Sequence, residues 1–112
     1  MEKVFGVEHP DTLKGRSNLA VALNAQGKHA KAEAALRTVL PVMEKTLGAE
    51  HPTVLATRDS LAETLRDQGK YAEAEAEWRA VLSMSEKVIG VDHPITVLVR
   101  NNLKDIEAKL KK

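Results

Sequence analysis

Gly6-Val7-Glu8-His9-Pro10, Gly48-Ala49-Glu50-His51-Pro52 and Gly90-Val91-Asp92-His93-Pro94 are three versions of one phrase, each set 42 residues after the last. Aligning residues 6–47 with 48–89 without gaps leaves 21 of 42 positions identical. Leu13/Leu55, Leu19/Leu61, Gln26/Gln68, Gly27/Gly69, Ala32/Ala74, Leu40/Leu82 and Glu44/Glu86 are among them. A period of this size marks a stacked-repeat architecture, in which each unit buries its apolar face against its neighbours alone.

Each unit reads as two helices. Proline at a first helical position gives up no hydrogen bond and is already set at a helical φ, so each His-Pro pair opens a helix A. Gly27 and Gly69 close it. Between these marks Val54, Leu55, Leu61, Ala62 and Leu65 fall on one helical stripe, as do Leu13, Leu19, Ala20 and Leu23 one unit earlier. After the glycine turn, Ala32, Leu36, Val39, Leu40, Met43 and Leu47 recur at three- and four-residue steps, matched by Ala74, Trp78, Val81, Leu82 and Ile89, and define helix B. The short connection makes A and B antiparallel neighbours. Pro41, standing where the second unit has Ser83, is expected to kink or shorten the first helix B. Gly15 falls inside the first helix A and is expected to weaken it locally.

The expected fold is all-α: a right-handed superhelix of antiparallel helix pairs forming a single domain over 1–112. Its parts are the end of a preceding helix B at 1–5, repeats at 6–47 and 48–89, and a half repeat with a capping helix at 90–112. Glu2-Lys3-Val4-Phe5-Gly6 aligns with Glu44-Lys45-Thr46-Leu47-Gly48, so the chain is expected to come from a longer array, with the apolar edge of its first unit exposed. At the other end, Lys104 and Glu107 replace the Ala20/Ala62 and Leu23/Leu65 that receive helix B, giving the cap a polar outer face.

Charge and composition narrow the function. The 17 basic and 16 acidic residues are interspersed and give a net charge of +1, which argues against a nucleic-acid or membrane-surface patch. Phe5, Tyr71 and Trp78 are the only aromatics, too few for a base-stacking platform. Cysteine is absent, which excludes disulfide and thiolate chemistry in this chain. A cytoplasmic setting is expected. His9, His51 and His93 do not share a metal: ligands lie about 2 Å from a zinc ion, whereas equivalent atoms of successive units stand about 10 Å apart. They are expected to bond locally at the helix entry. His29 and Tyr71, aligned at the interhelical turn, read as packing, as does Trp78 on the apolar stripe. Glu33 with Arg37 and Glu75 with Arg79 are spaced for surface ion pairs on helix B. No phosphate loop, nucleophile elbow or metal-ligand spacing occurs, so neither enzyme activity nor a cofactor is expected.

The small Ala20 and Ala62, the Gln-Gly-Lys-x-Ala run at 26–30 and 68–72, Ala32 and Ala74, and Val-Leu at 39–40 and 81–82 resemble the tetratricopeptide repeat. With its Glu-Lys-x-Leu-Gly-x-Glu-His-Pro linker, the unit is similar to the longer variety found in kinesin light chains and in many bacterial and fungal signalling proteins. The resemblance implies a protein-interaction scaffold whose A helices line a concave groove. It implies as inward positions Lys14, Ser17, Asn18, Val21 and Asn24 in the first unit, Asp59, Ser60, Glu63 and Arg66 in the second, and Leu98, Asn101, Asn102 and Asp105 in the third. Asn18 and Asn102 offer amide donors and acceptors to an extended backbone. Asp59, Glu63 and Asp105 suggest a protein or peptide of basic character, with Lys14 and Arg66 adding contrast. Two alternatives remain: an array that self-associates through its N-terminal edge, around Val4 and Phe5, and a regulatory or sensor segment of a larger signalling protein.

Overall fold

The computed structural model describes residues 10–111. His9, Val4, Phe5 and the Glu2 to Gly6 alignment lie outside the described residues. Five helices follow one another among the described residues: α1 Pro10–Ala25, α2 His29–Leu47, α3 Pro52–Asp67, α4 Tyr71–Val88 and α5 Pro94–Leu110. They are the A and B helices of two units and the A helix of a third, each packed against the next, with α1 touching α3 and α3 touching α5 as well. This is an all-α, helix-pair solenoid.

The punctuation behaves as the residue types require. At Gly27 the chain takes φ +84° and at Gly69 φ +82°, a region open to glycine because it lacks a Cβ. That turn lets Lys28 N–H reach Leu23 C=O at 2.9 Å and Gly27 N–H reach Asn24 C=O at 3.0 Å, with the same pair of bonds repeated at Lys70 and Gly69. Both A helices thus end in one carbonyl-satisfying motif. At the other end, the His51 ring nitrogen Nδ1 accepts from Thr53 N–H at 3.0 Å, and His93 Nδ1 accepts from Ile95 N–H at 3.1 Å. These histidines are N-caps, the local role expected of them, with the proline following at the first helical position.

One apolar core runs through all the units. Leu13, Ala20, Leu36, Val39, Met43, Val54, Leu55, Ala62, Trp78, Val81, Val99 and Ile106 have lost essentially all contact with water. Two expectations are corrected. Leu19, placed on the buried stripe, is 61% exposed, while its counterparts Leu61 and Leu103 are 3% and 9% exposed. The reason is positional: Leu61 borders Leu40 and Pro41 of the preceding helix B, and among the described residues no helix precedes α1. Pro41 does not shorten α2, which spans 19 residues against 18 for α4. It lies on the exposed side, where water can satisfy the Arg37 carbonyl that its missing N–H leaves free.

Candidate binding groove

Each A helix carries one open stripe at four- and three-residue steps: Lys14, Asn18, Val21 on α1; Ala56, Ser60, Glu63 on α3; Leu98, Asn102, Asp105 on α5. These positions are exposed or half-buried throughout. Lys14, Asn18 and Val21 of α1 and Ala56 and Ser60 of α3 border a cavity of about 270 Å³, whose other walls come from Ser17, Thr57, Pro52, Thr53 and Ile95. Eight of the thirteen residues expected from the sequence therefore share one accessible surface, and Asn101 lies exposed one position beside it.

The remaining four are placed differently. Ser17 is 6% exposed and Asp59 4% exposed, so neither is at the surface where the sequence suggested it. Ser17 Oγ is paired with Thr57 Oγ1 at 3.1 Å, joining α1 to α3. Asp59 Oδ1 accepts from Trp78 Nε1 at 2.7 Å and from Asn102 Nδ2 at 3.1 Å, joining α3 to α4 and α5. An indole N–H buried with its ring needs an acceptor, and Asp59 supplies it. Position 59 lies one step off the open stripe, so helical spacing alone cannot separate the two. Asn24 is held at both ends of its amide: it donates to Asp67 Oδ2 at 2.9 Å, and its oxygen is bonded to the His29 ring. Arg66 lies over the Trp78 ring at 5.7 Å and pairs with Asp67 at 3.1 Å.

The electrostatics follow from this arrangement. Burial raises the Asp59 carboxyl above its ordinary range, opposed by the bonds from Trp78 and Asn102 and by the nearby Arg66 charge. One turn further along α3, Glu63 is pushed up to about 7, first by burial and then by the charges of Asp59 and Asp67, with Arg66 acting in the opposite direction. On the outer side Glu33 is held at about 2 by Arg37, Gln68 and Lys70. Its bonds to Gln68 Nε2 at 2.7 Å and Lys70 Nζ at 3.1 Å tie the first helix B to the second unit. The expected Glu33–Arg37 and Glu75–Arg79 pairs are present at 2.7 and 3.0 Å. Glu107 of α5 also reaches Arg79, at 2.8 Å, so it is less solvated than expected of the cap's outer face, while Lys104 is exposed.

Ala56, Thr53, Pro52 and Ile95 line the cavity as well, outside the positions expected from the sequence. Ala56 had a signal: it aligns with Lys14 and Leu98, and a small residue at an inward position opens space. Among the described residues no group of three or more His, Cys, Asp or Glu side chains is placed to hold a metal ion, and no helix is long and apolar enough to cross a membrane.

A family model described as Tetratricopeptide repeat matches residues 11–76 and again residues 53–112. A search of curated proteins finds no match.

Proposed function

The chain belongs to the tetratricopeptide repeat family, and we propose that it holds an extended protein segment against the concave stripe of its A helices. Tetratricopeptide repeats are in general protein–protein interaction modules, and the family is typically a non-enzymatic scaffold. The observation that carries the groove reading is the alignment of Lys14-Asn18-Val21, Ala56-Ser60-Glu63 and Leu98-Asn102-Asp105 on one accessible face, with a cavity between the first two rows. The Asn18 amide, without a side-chain hydrogen bond among the described residues, suits the backbone of an extended chain. Glu63 and Asp105 favour a segment that carries basic side chains. Amide chemical-shift mapping with pooled basic and acidic peptides tests this: saturable shifts centred on Asn18, Ser60, Glu63 and Asn102 support it, and no saturable shift with either pool overturns it.

A second reading is association between copies through the face bearing Leu19, favoured by the 61% exposure of that side chain. Sedimentation of the parent and of Leu19→Lys separates the two readings. A dimer abolished by the substitution supports self-association; a monomer at all concentrations removes it.

A further inference from the structure

The groove has unlike ends. Its cavity lies between the middle of α1 and the first half of α3, where Pro52 and Ile95 bring the first turns of α3 and α5 to the same space as Val21 and Ala56. The polar groups at its floor are already satisfied, Ser17 and Thr57 by each other and Ser60 Oγ by the Ala56 carbonyl at 3.3 Å. An apolar occupant thus leaves these three hydroxyls with their partners, while the Asn18 amide at the wall stays exposed. A dry cavity of about 150 Å³ takes a benzene ring, so about 270 Å³, open on one side, accommodates a leucine or an aromatic side chain. Lys14 stands at the rim, exposed and without an ion pair among the described residues. The positive ends of two helix dipoles point the same way.

The opposite end carries both signs of charge, its carboxylates the less engaged. Arg66 and Lys109 border the surface there with Asp105, yet Arg66 is engaged with Trp78 and Asp67, and Lys109 lies over the Tyr71 ring at 6.0 Å. Glu63 and Asp105 make no ion pair among the described residues, and the Glu63 carboxyl is pushed up to about 7 by burial and by Asp59, so a cation brought beside it stabilises the charged form. Ala56 and Glu63 are seven residues apart on α3, about 10 Å along the helix axis at about 1.5 Å per residue. An extended chain covers that in about three residues.

We propose that the groove takes a peptide with one charge order: a bulky apolar side chain in the cavity, a carboxylate beside it facing Lys14, and a basic side chain about three residues away facing Glu63 and Asp105. The proposal rests on the groove reading above and narrows it from a preference for basic segments to a polar ordering of charge around an apolar anchor.

The probes are capped peptides on a Gly/Ser background: Asp-Leu-Ser-Ser-Lys, the charge-swapped Lys-Leu-Ser-Ser-Asp, and Asp-Ser-Ser-Ser-Lys without the anchor, each titrated by NMR. The first is expected to bind about tenfold more tightly than either of the others, with shifts at Ala56 and Ile95. Ala56→Phe, which fills the cavity from an exposed position, is expected to remove the advantage of the leucine. Lys14→Glu is expected to bring the swapped peptide level with the first or above it. Equal binding of the ordered and swapped peptides, with shifts on the concave stripe, overturns the charge order and leaves the groove reading standing. Absence of binding by all three overturns the proposal; the groove reading then stands or falls on the pooled peptides.

Discussion

Trp78 donates its indole N–H to Asp59 Oδ1 at 2.7 Å, from a ring wholly removed from water to a carboxylate 4% exposed. Nineteen residues separate the two along the chain, and the bond joins helices A and B of one unit. Asn102 Nδ2 donates to the same oxygen at 3.1 Å from the next unit, so one atom anchors three helices.

Asp59→Leu is expected to destabilise the chain by about 2 kcal/mol, because it strands the indole N–H of Trp78 without an acceptor. Asp59→Asn keeps a carbonyl acceptor and removes the cost of burying charge, and is expected to lie within about 0.5 kcal/mol of the parent. Urea denaturation followed by the single tryptophan distinguishes them. Equal stability of all three proteins would remove the structural role assigned to the bond.

Glu63 sets a pH dependence of the opposite sign to that of a paired carboxylate. Its carboxyl stands at about 7 in the fold against an ordinary 4.5, so between these values the folded chain keeps a proton the unfolded chain has lost. Its contribution to stability is complete below about 4.5 and disappears as pH rises through about 7. Asp59, Asp67 and Arg66 of α3, and Asp105 and Lys109 of α5, are the charged groups at that end of the groove. Glu63→Gln is expected to match the parent at pH 4.5 and to exceed it by about 1 kcal/mol at pH 8, the partial exposure of the carboxyl limiting the size. Denaturation midpoints across this range read the effect, and parallel curves for the two proteins would contradict it.

Gly15 sits inside α1 with nothing within 4 Å of the place its Cβ would occupy. Gly15→Ala is expected to stabilise the chain by about 0.5–1 kcal/mol, by narrowing the unfolded ensemble without a clash in the fold. A thermal midpoint that fails to rise would show that this turn of α1 contributes little to the cooperative unit.

His51→Ala removes the side-chain acceptor for Thr53 N–H and is expected to cost about 1 kcal/mol. His51→Ser replaces that acceptor and should recover most of the loss, and the same pair of changes at His93 should repeat the result at α5. Hydrogen exchange at Thr53 and Ile95 reports each cap separately. Unchanged exchange in His51→Ala would rule the cap out.

The helices were legible because their signals are local and occur twice. Each His-Pro opening and each Gly27 or Gly69 closing acts within a few residues, and the second copy repeats the first, so α3 and α4 fall where the glycines and prolines place them. What escaped was set by neighbours in space. Leu19 and Leu61 are the same residue at the same repeat position, and only the presence of Leu40 and Pro41 beside one of them separates exposed from buried. Asp59 looks like a groove residue on a helical wheel; its burial comes from Trp78 and from Asn102, 43 positions away. Eight of the expected positions lie together on the open stripe because no described helix packs on that side, and Ala56, whose side chain bonds nothing, contributes there by leaving room.

The buried polar pairs also write down an order. At the first junction a hydroxyl meets a hydroxyl, Ser17 with Thr57; at the second a carboxylate meets an amide, Asp59 with Asn102. The units are therefore not interchangeable beads, despite half their residues being shared. A second copy of residues 48–89 spliced in after Ile89 would lengthen the chain without breaking its rhythm, yet it would set the first copy's Asp59 opposite a serine, since Ser60 stands where Asn102 does. Sequence at two internal positions thus acts as an address, telling each unit which neighbour it follows.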